Sequence, residues 1–269
     1  MMYSVQRWLA CAGAVAAVGA SACSQIGSAT AAQVAPTASG SATAASGVTT
    51  AYMPPTTNLY FGNSGPAVTS VQQRLNELGY YAGPDNGQFG TDLEEAVWAF
   101  KEVQGLPMNE FKRHNSVITP AFRQALINPR PPFARYPRGG AGRIEVNQRI
   151  QVLVLYRGNA PYLILHVSTG ANCLRNHGCG WITPDGKYKA RSFLKGMIYA
   201  PLGPMKNPVF FIGRVFAIHG GEPVPWYPDS HGCIRIYNDV VNWFHTLIHI
   251  GVTRIYVFGK APYQPGLAS

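Results

Sequence analysis

Ala217 to Tyr237 reads AIHGGEPVPWYPDSHGCIRIY and concentrates the reactive side chains of the chain. Cys233 follows a glycine, with His231 two residues before it and His219 fourteen before it. A thiol attacks only as its thiolate, and a neighbouring imidazole can take the proton and stabilise the anion. Gly232 leaves room for a substrate carbonyl beside backbone N–H groups, which can then serve as an oxyanion hole. The pattern is that of nucleophilic catalysis, with Cys233 attacking and a histidine as base.

Two elements must hold these groups. Val215, Phe216 and Ile218 surround the approach to His219, and Ile234 and Ile236 follow Cys233. His219 should therefore leave a buried strand and Cys233 should open the next element, bringing the two together. From Arg143 onward the texture is β: Ile150, Val152 and Val154 alternate. Tyr162, Ile164 and His166 share one parity while Leu163, Leu165 and Val167 share the other. Val209 to Ile218 is a long apolar run, Val240 to Leu247 has helical spacing, and Ile255 to Phe258 is a closing strand. A mainly β domain over 143–260 with one helix after the nucleophile is expected.

An earlier unit, 58–128, reads as helical. Val68, Val71, Leu75 and Leu78 fall on one helix face; Val97, Phe100 and Val103 on a second; Phe122, Ala125 and Leu126 on a third. Thr91 with Glu94 suggests a capping box, and Thr119-Pro120 a helix start. The fold class expected is multidomain, a small all-α three-helix bundle followed by the β domain. Residues 129–142, rich in proline and ending in Gly-Gly-Ala-Gly, read as a linker, and 261–269 as a tail.

The first residues set an expected compartment. Residues 1–22 carry one charge, Arg7, before an alanine- and valine-rich apolar stretch, the layout of a signal peptide. Ala20-Ser21-Ala22 before Cys23 reads either as an ordinary cleavage site or as a lipobox with Cys23 lipidated. Residues 23–57 are dominated by Ala, Ser, Thr, Gly and Pro, and suit a flexible tether. The formal net charge is +10. It is concentrated in Arg143–Ser269, with thirteen basic against five acidic residues. An exported basic domain points to an anionic environment such as a cell wall. The export signal and the lack of a basic run argue against nucleic acid.

Two resemblances sharpen this reading. Val71-Gln72-Gln73-Arg74-Leu75, Leu78-Gly79-Tyr80, Gly87-Gln88-Phe89-Gly90 and Ala96-Val97-Trp98-Ala99-Phe100-Lys101 resemble the three-helix type of peptidoglycan-binding domain. Its usual second Asp-Gly turn is replaced here by Met108 to Asn115. Val167-Ser168-Thr169-Gly170, Thr183-Pro184-Asp185-Gly186-Lys187-Tyr188, Ile218-His219-Gly220 and Ser230-His231-Gly232-Cys233-Ile234-Arg235 occur in order. Together they resemble the catalytic domain of the YkuD-like L,D-transpeptidases. The resemblance implies that Cys233 is the nucleophile and His219 its base, oriented through the Gly220 carbonyl. His231 would assist or orient, and the N–H groups of His231, Gly232 and Cys233 would hold the oxyanion. It implies peptidoglycan tetrapeptide stems as donors, loss of D-Ala, a thioester on Cys233 and a 3→3 cross-link, with carbapenem β-lactams acylating the same thiol. No metal and no cofactor are implied.

Around that core several assignments stay open. Arg235 either meets stem carboxylates or makes a structural ion pair. Ser230 is a candidate substrate contact, and Trp226 and Tyr227 either wall the donor pocket or simply pack. Ten residues separate His219 from Ser230, which implies a small lid. Ala171 to Gly180 contains a second His-Gly-Cys, at 177–179. A Cys173–Cys179 disulfide suits an exported chain and leaves Cys233 free; zinc binding by Cys173, His177 and Cys179 is the alternative. His166 reads as structural, and His245 with His249 as helix-surface or capping residues. The functional alternatives to a transpeptidase are a carboxypeptidase that resolves the thioester with water and a non-catalytic wall-binding lipoprotein. The expected location is the cell envelope, lipid-anchored to the outer face of the cytoplasmic membrane.

Overall fold

The computed structural model describes residues 52–108, 116–140, 142–171 and 182–262, with the backbone of 173–174 and 178–179. The chain parts between Val48 and Thr49, and everything described belongs to the second part. The expected signal peptide, most of the tether and Cys23 lie outside the described residues, as do the side chains of Cys173 and Cys179. Among the described residues no helix is long and apolar enough to cross a membrane.

The first unit consists of β1 (Leu59–Tyr60), α1 (Pro66–Glu77), α2 (Thr91–Gln104), β2 (Val117–Ile118) and α3 (Pro120–Ile127). Pro66 opens α1, whose buried face is Val68, Val71, Gln72 and Leu75. Thr119 caps α3 by accepting from the Phe122 N–H at 3.3 Å. The unit is not purely helical, because Leu59 pairs with Ile118 in an antiparallel ribbon that closes the core. The capping box expected at Thr91 does not form. The helix begins after Gly90 with no side-chain cap, and the buried Glu94 accepts from Ser116 Oγ at 2.9 Å.

The second unit holds two sheets. One has the order β5 (Ala160–His166), β4 (Val152–Arg157), β3 (Gly142–Asn147), β14 (Arg254–Phe258) and β8 (Gly186–Lys189), with β3 and β14 parallel. The other runs β10 (Met197–Ala200), β11 (Gly203–Ile212), β12 (Phe216–Gly220) and β13 (Ile234–Ile236), with β9 (Ser192–Phe193) also on β11. A small antiparallel pair, β6 (Cys173–Leu174) and β7 (Gly178–Cys179), sets Cys173 opposite Cys179 along the backbone. Helix α4 (Asn238–Phe244) and one 3₁₀ turn, His245–Leu247, follow β13. The domain is mainly β, with its helix after Cys233.

The sequence Val152-Leu153-Val154-Leu155-Tyr156 is apolar on both parities because β4 is covered on both faces. Leu153 and Leu155 enter a core shared with Val209, Phe211, Ile218 and Ile234 of the other sheet. Val152, Val154, Tyr156 and Ile164 instead join the core of the helical unit, beside Val97 and Phe100. The first sheet is thus a middle layer between helices and the second sheet. Burying those four side chains contributes about 6–12 kcal/mol at roughly 1.5–3 kcal/mol each, so the two units are held as one body. The edge of β5 is also covered: the Ile164 N–H donates to Gly79 O at 2.8 Å and its carbonyl accepts from Tyr81 N at 3.4 Å.

The segment 129–142 is strapped to the same sheet. Glu145 accepts from the N–H groups of Arg135 and Tyr136 at 2.8 and 3.2 Å and from Arg143 Nε at 2.7 Å. Tyr136 stacks on Tyr256, whose hydroxyl donates to Gly139 O at 2.9 Å.

Candidate active site

Strands β12 and β13 lie side by side and parallel, with Ile218 opposite Ile234 and His219 opposite Arg235. Extending that register by one residue sets Cys233 beside Ala217. Residues 217 and 219 share a face of β12, since side chains alternate along a strand. Cys233 and His219 therefore project from the same face, the one that carries Met205, Phe210 and Ala217 in a small cluster with Cys233. The parallel return thus sets two residues fourteen apart in sequence on one face of neighbouring strands, with the thiol 3.6 Å from Val215 O. Gly220 is required where it stands: a Cβ there would lie 2.4 Å from Val241 Cγ1 of α4.

His219 is 6% exposed, and its Nδ1 lies 2.9 Å from Gly220 O. A carbonyl only accepts, so Nδ1 carries the proton and Nε2 keeps its lone pair. Burial pushes the His219 pKa down to about 4, with the Gly220 bond opposing and the Arg235 charge adding to the fall. Burial pushes the half-buried Cys233 thiol up, against the backbone near Ala217 and the Arg235 charge. Thiol and imidazole are accordingly both neutral at rest around pH 7, and the base is poised in the tautomer that can accept a proton.

The turn before β13 is fixed by two hydroxyls. Ser230 Oγ accepts from the Gly232 N–H at 3.1 Å and donates to Cys233 O at 2.5 Å. Thr183 Oγ1 accepts from the Gly170 N–H at 2.8 Å and donates to Gly232 O at 2.7 Å. Gly232 has φ 113, and a Cβ there would lie 2.6 Å from Phe216 Cε1, so no other residue fits without strain. Two sequence expectations change. Ser230 is 4% exposed and its hydroxyl is spent inside the turn, which leaves it no hand for a substrate. The Gly232 N–H is likewise committed to Ser230, so it is not presented to an oxyanion. Arg235 makes the structural ion pair, with Asp229 Oδ2 at 3.0 Å and a further bond to Asp229 O.

The loop Gly221 to Asp229 is tied to β5 and its extension. His166 Nε2 donates to Pro225 O at 2.8 Å, and Ser168 Oγ donates to Tyr227 O at 2.9 Å while accepting from Asp229 N at 3.0 Å. Trp226 and Tyr227 are half-buried and pack edge to face, ring centroids 5.4 Å apart. On the far side of β5 the buried His166 ring meets Trp98 of α2 edge to face at 5.2 Å. Sequence reasoning missed Trp98 as an interface residue. Its signal was an aromatic ring off the Val97-Phe100-Val103 stripe, on a helix buried nearly all round. His166→Phe keeps an aromatic ring against Trp98 but leaves the Pro225 carbonyl without its donor. It should lower the unfolding free energy by about 1–3 kcal/mol, read by chemical denaturation; an unchanged midpoint would show that this bond contributes nothing.

His245 stacks on Phe193 at 4.4 Å. His249 lies past the 3₁₀ turn, so the two histidines do not share a helix face. Among the described residues no three His, Cys, Asp or Glu side chains gather as a metal site. The proposed zinc ligands at Cys173, His177 and Cys179 fall outside the described side chains.

Residues 141–257 match the YkuD family of L,D-transpeptidase catalytic domains, and residues 64–109 match the PG_binding_1 family of peptidoglycan-binding domains. Among solved structures, the chain is similar to an L,D-transpeptidase (residues 123–326) from Xylanimonas cellulosilytica. The two are 29% identical with a TM-score of 0.66, over 77% of this chain and 100% of that one. An L,D-transpeptidase from Stackebrandtia nassauensis is 16% identical with a TM-score of 0.45, over 79% of this chain and 100% of that one. The former is close enough to support a shared fold; the latter is not. None of the curated proteins compared with the chain matches it.

Proposed function

With residues 141–257 belonging to the L,D-transpeptidase catalytic domains and a peptidoglycan-binding domain at 64–109, we propose that the chain is a cysteine L,D-transpeptidase that forms 3→3 cross-links. The observation that carries this reading is the His219–Gly220 bond, which leaves Nε2 as a neutral base on the face that bears Cys233. Nε2 takes the thiol proton as sulfur attacks the carbonyl of the third stem residue. The tetrahedral oxyanion is held by the backbone N–H groups of His231 and Cys233, chiefly that of Cys233. Collapse breaks the C–N bond, and the imidazolium returns its proton to the departing D-Ala amine. An amine of a second stem then attacks the thioester, gives its proton to Nε2 and releases the thiol.

A β-lactam carbonyl, being strained and electrophilic, reaches the same thiol, so carbapenems are expected to acylate Cys233. Trp226 and Tyr227 flank the donor in this reading, and Arg235 sets the loop through Asp229 rather than meeting the stem directly. The helical unit binds glycan along the polar groove formed by Ser64, Thr69, Ser70, Gln73, Asn86 and Gln88. Export by residues 1–22, an anchor at Cys23 and a Cys173–Cys179 disulfide complete the reading, which suits work in the envelope.

The test is turnover of a purified disaccharide-tetrapeptide by the folded chain from about Asn58, followed by mass spectrometry. A dimer lacking one D-Ala supports transpeptidation. Tripeptide without dimer reassigns the protein as a carboxypeptidase, and no turnover with no adduct leaves a binding protein.

A further inference from the structure

We propose that Thr183 is a positioning residue for the oxyanion hole: its hydroxyl fixes the plane of the Gly232–Cys233 peptide and so aims the Cys233 N–H. The inference rests on Cys233 being the nucleophile and adds a residue that does not touch the substrate.

Thr183 is 2% exposed, and both roles of its hydroxyl are used. The Gly170 N–H donates to Oγ1 at 2.8 Å, which directs the hydroxyl proton to Gly232 O at 2.7 Å. A trans peptide is planar with C=O and N–H on opposite sides. Holding the Gly232 carbonyl therefore turns the Cys233 N–H to the side away from Thr183. The strand ladder does not consume that N–H. Arg235 exchanges its backbone bonds with Ser168 at 2.9 and 3.0 Å, and β13 begins only at Ile234, so Cys233 lies before the ladder. The next peptide is pinned as well, because Ser230 Oγ holds Cys233 O at 2.5 Å. A hydrogen bond accepted by the carbonyl also polarises its own peptide and strengthens the N–H at the other end.

Thr183 is held in turn from the interior. Gln148 Nε2 donates to Thr183 O at 3.0 Å and to Asp185 Oδ1 at 2.6 Å. The Gln151 amide bonds Gln148 O, Thr169 Oγ1 and Thr169 N. A fully bonded buried network specifies one geometry, which is what a preorganised oxyanion hole needs. The Thr-Pro-Asp-Gly-Lys-Tyr turn thereby acts on the nucleophile from the end of a different sheet.

The test compares wild type, Thr183→Val and Thr183→Ser in the full chain. Two rates on Cys233 are read: acylation by a carbapenem, which develops an oxyanion, and alkylation by iodoacetamide, which does not. Removing a direct oxyanion donor typically costs about 10²–10³-fold; removing its orienter should cost about 10–100-fold in the limiting acylation rate. The carbapenem concentration giving half that rate should move little. Thr183→Ser keeps the hydroxyl and should stay within about threefold of wild type, while alkylation is equal in all three chains. Acylation of Thr183→Val at the wild-type rate would overturn the proposal. So would an equal slowing of alkylation, which means a collapsed turn, or a Thr183→Ser chain as slow as the valine variant. A wild type that is alkylated on Cys233 but never acylated defeats the transpeptidase reading instead, so the two failures are distinguishable.

Discussion

The Cys233→Ala chain forms no acyl adduct and cross-links nothing, while its fold and thermal unfolding stay close to wild type. The side chain is half-buried in a small cluster with Met205, Phe210 and Ala217, so losing one sulfur removes little packing. Activity loss is expected to be complete, on the order of 10⁶-fold as when the nucleophile of a catalytic triad is deleted. Cys233→Ser should be nearly as dead. A serine hydroxyl is far less acidic than a thiol, and a base held at about 4 by burial is too weak to activate it. Intact-mass spectra after incubation with a carbapenem give the reading. An adduct persisting in Cys233→Ala would move the nucleophile elsewhere, and Cys179, in the second His-Gly-Cys, would be the first place to look. Among the described residues Cys233 is the free cysteine.

How much of this was legible depends on how local each cause is. Cys233 and His219 were readable because their roles follow from residue type and from the strands that flank them. The parallel pairing of β12 with β13 then makes the sequence spacing into proximity. Both parities of β5 were also visible, Leu163 and Leu165 against Ile164 and His166. What covers each parity is a matter of tertiary packing, and nothing local says that Ile164 joins the helical core while Leu165 joins the sheet core. The capping box failed for the same reason: Glu94 is buried against Ser116, a partner twenty-two residues on. Ser230 looked like a substrate contact because it lies beside His231 and Cys233. Its position two residues before Gly232 instead lets it close the turn on itself. Arg235 could pair with stem or protein from sequence alone, and Asp229, six residues earlier, decides for the protein. Thr183 was quoted as part of a motif, but its carbonyl partner lies forty-nine residues away.

His219→Gln should slow acylation by about 10²–10⁴-fold, the usual range for a general base, and should change the shape of its pH dependence as well as its size. In the wild type His219 stays neutral until the pH falls to about 4, so the base is available over the whole range above that. The thiol, pushed up by burial, supplies almost no thiolate near neutrality. Acylation should therefore be level from about pH 5.5 to 8 and fall below about 5, as Nε2 fills with a proton. Without the base only spontaneous thiolate reacts, and the His219→Gln rate should climb about tenfold per pH unit across that range. A level profile in the variant would mean another group takes the proton, with His231 the nearest candidate in sequence. The same burial has a stability signature of opposite origin. Below the unfolded value near 6.5, unfolded histidines bind protons that His166 and His219, both held at about 4, do not. The unfolded chain then binds more protons, and stability falls as the pH drops from about 6.5 toward 4, by about 1.4 kcal/mol per pH unit for each histidine. His219→Gln removes one of the two, so its unfolding midpoint should be less sensitive to acid than that of the wild type, even though its catalysis is more sensitive to pH. A variant that lost activity yet kept the full acid sensitivity would show that His219 is not buried in its neutral form, and that the neutral thiol–imidazole pair is the wrong resting state.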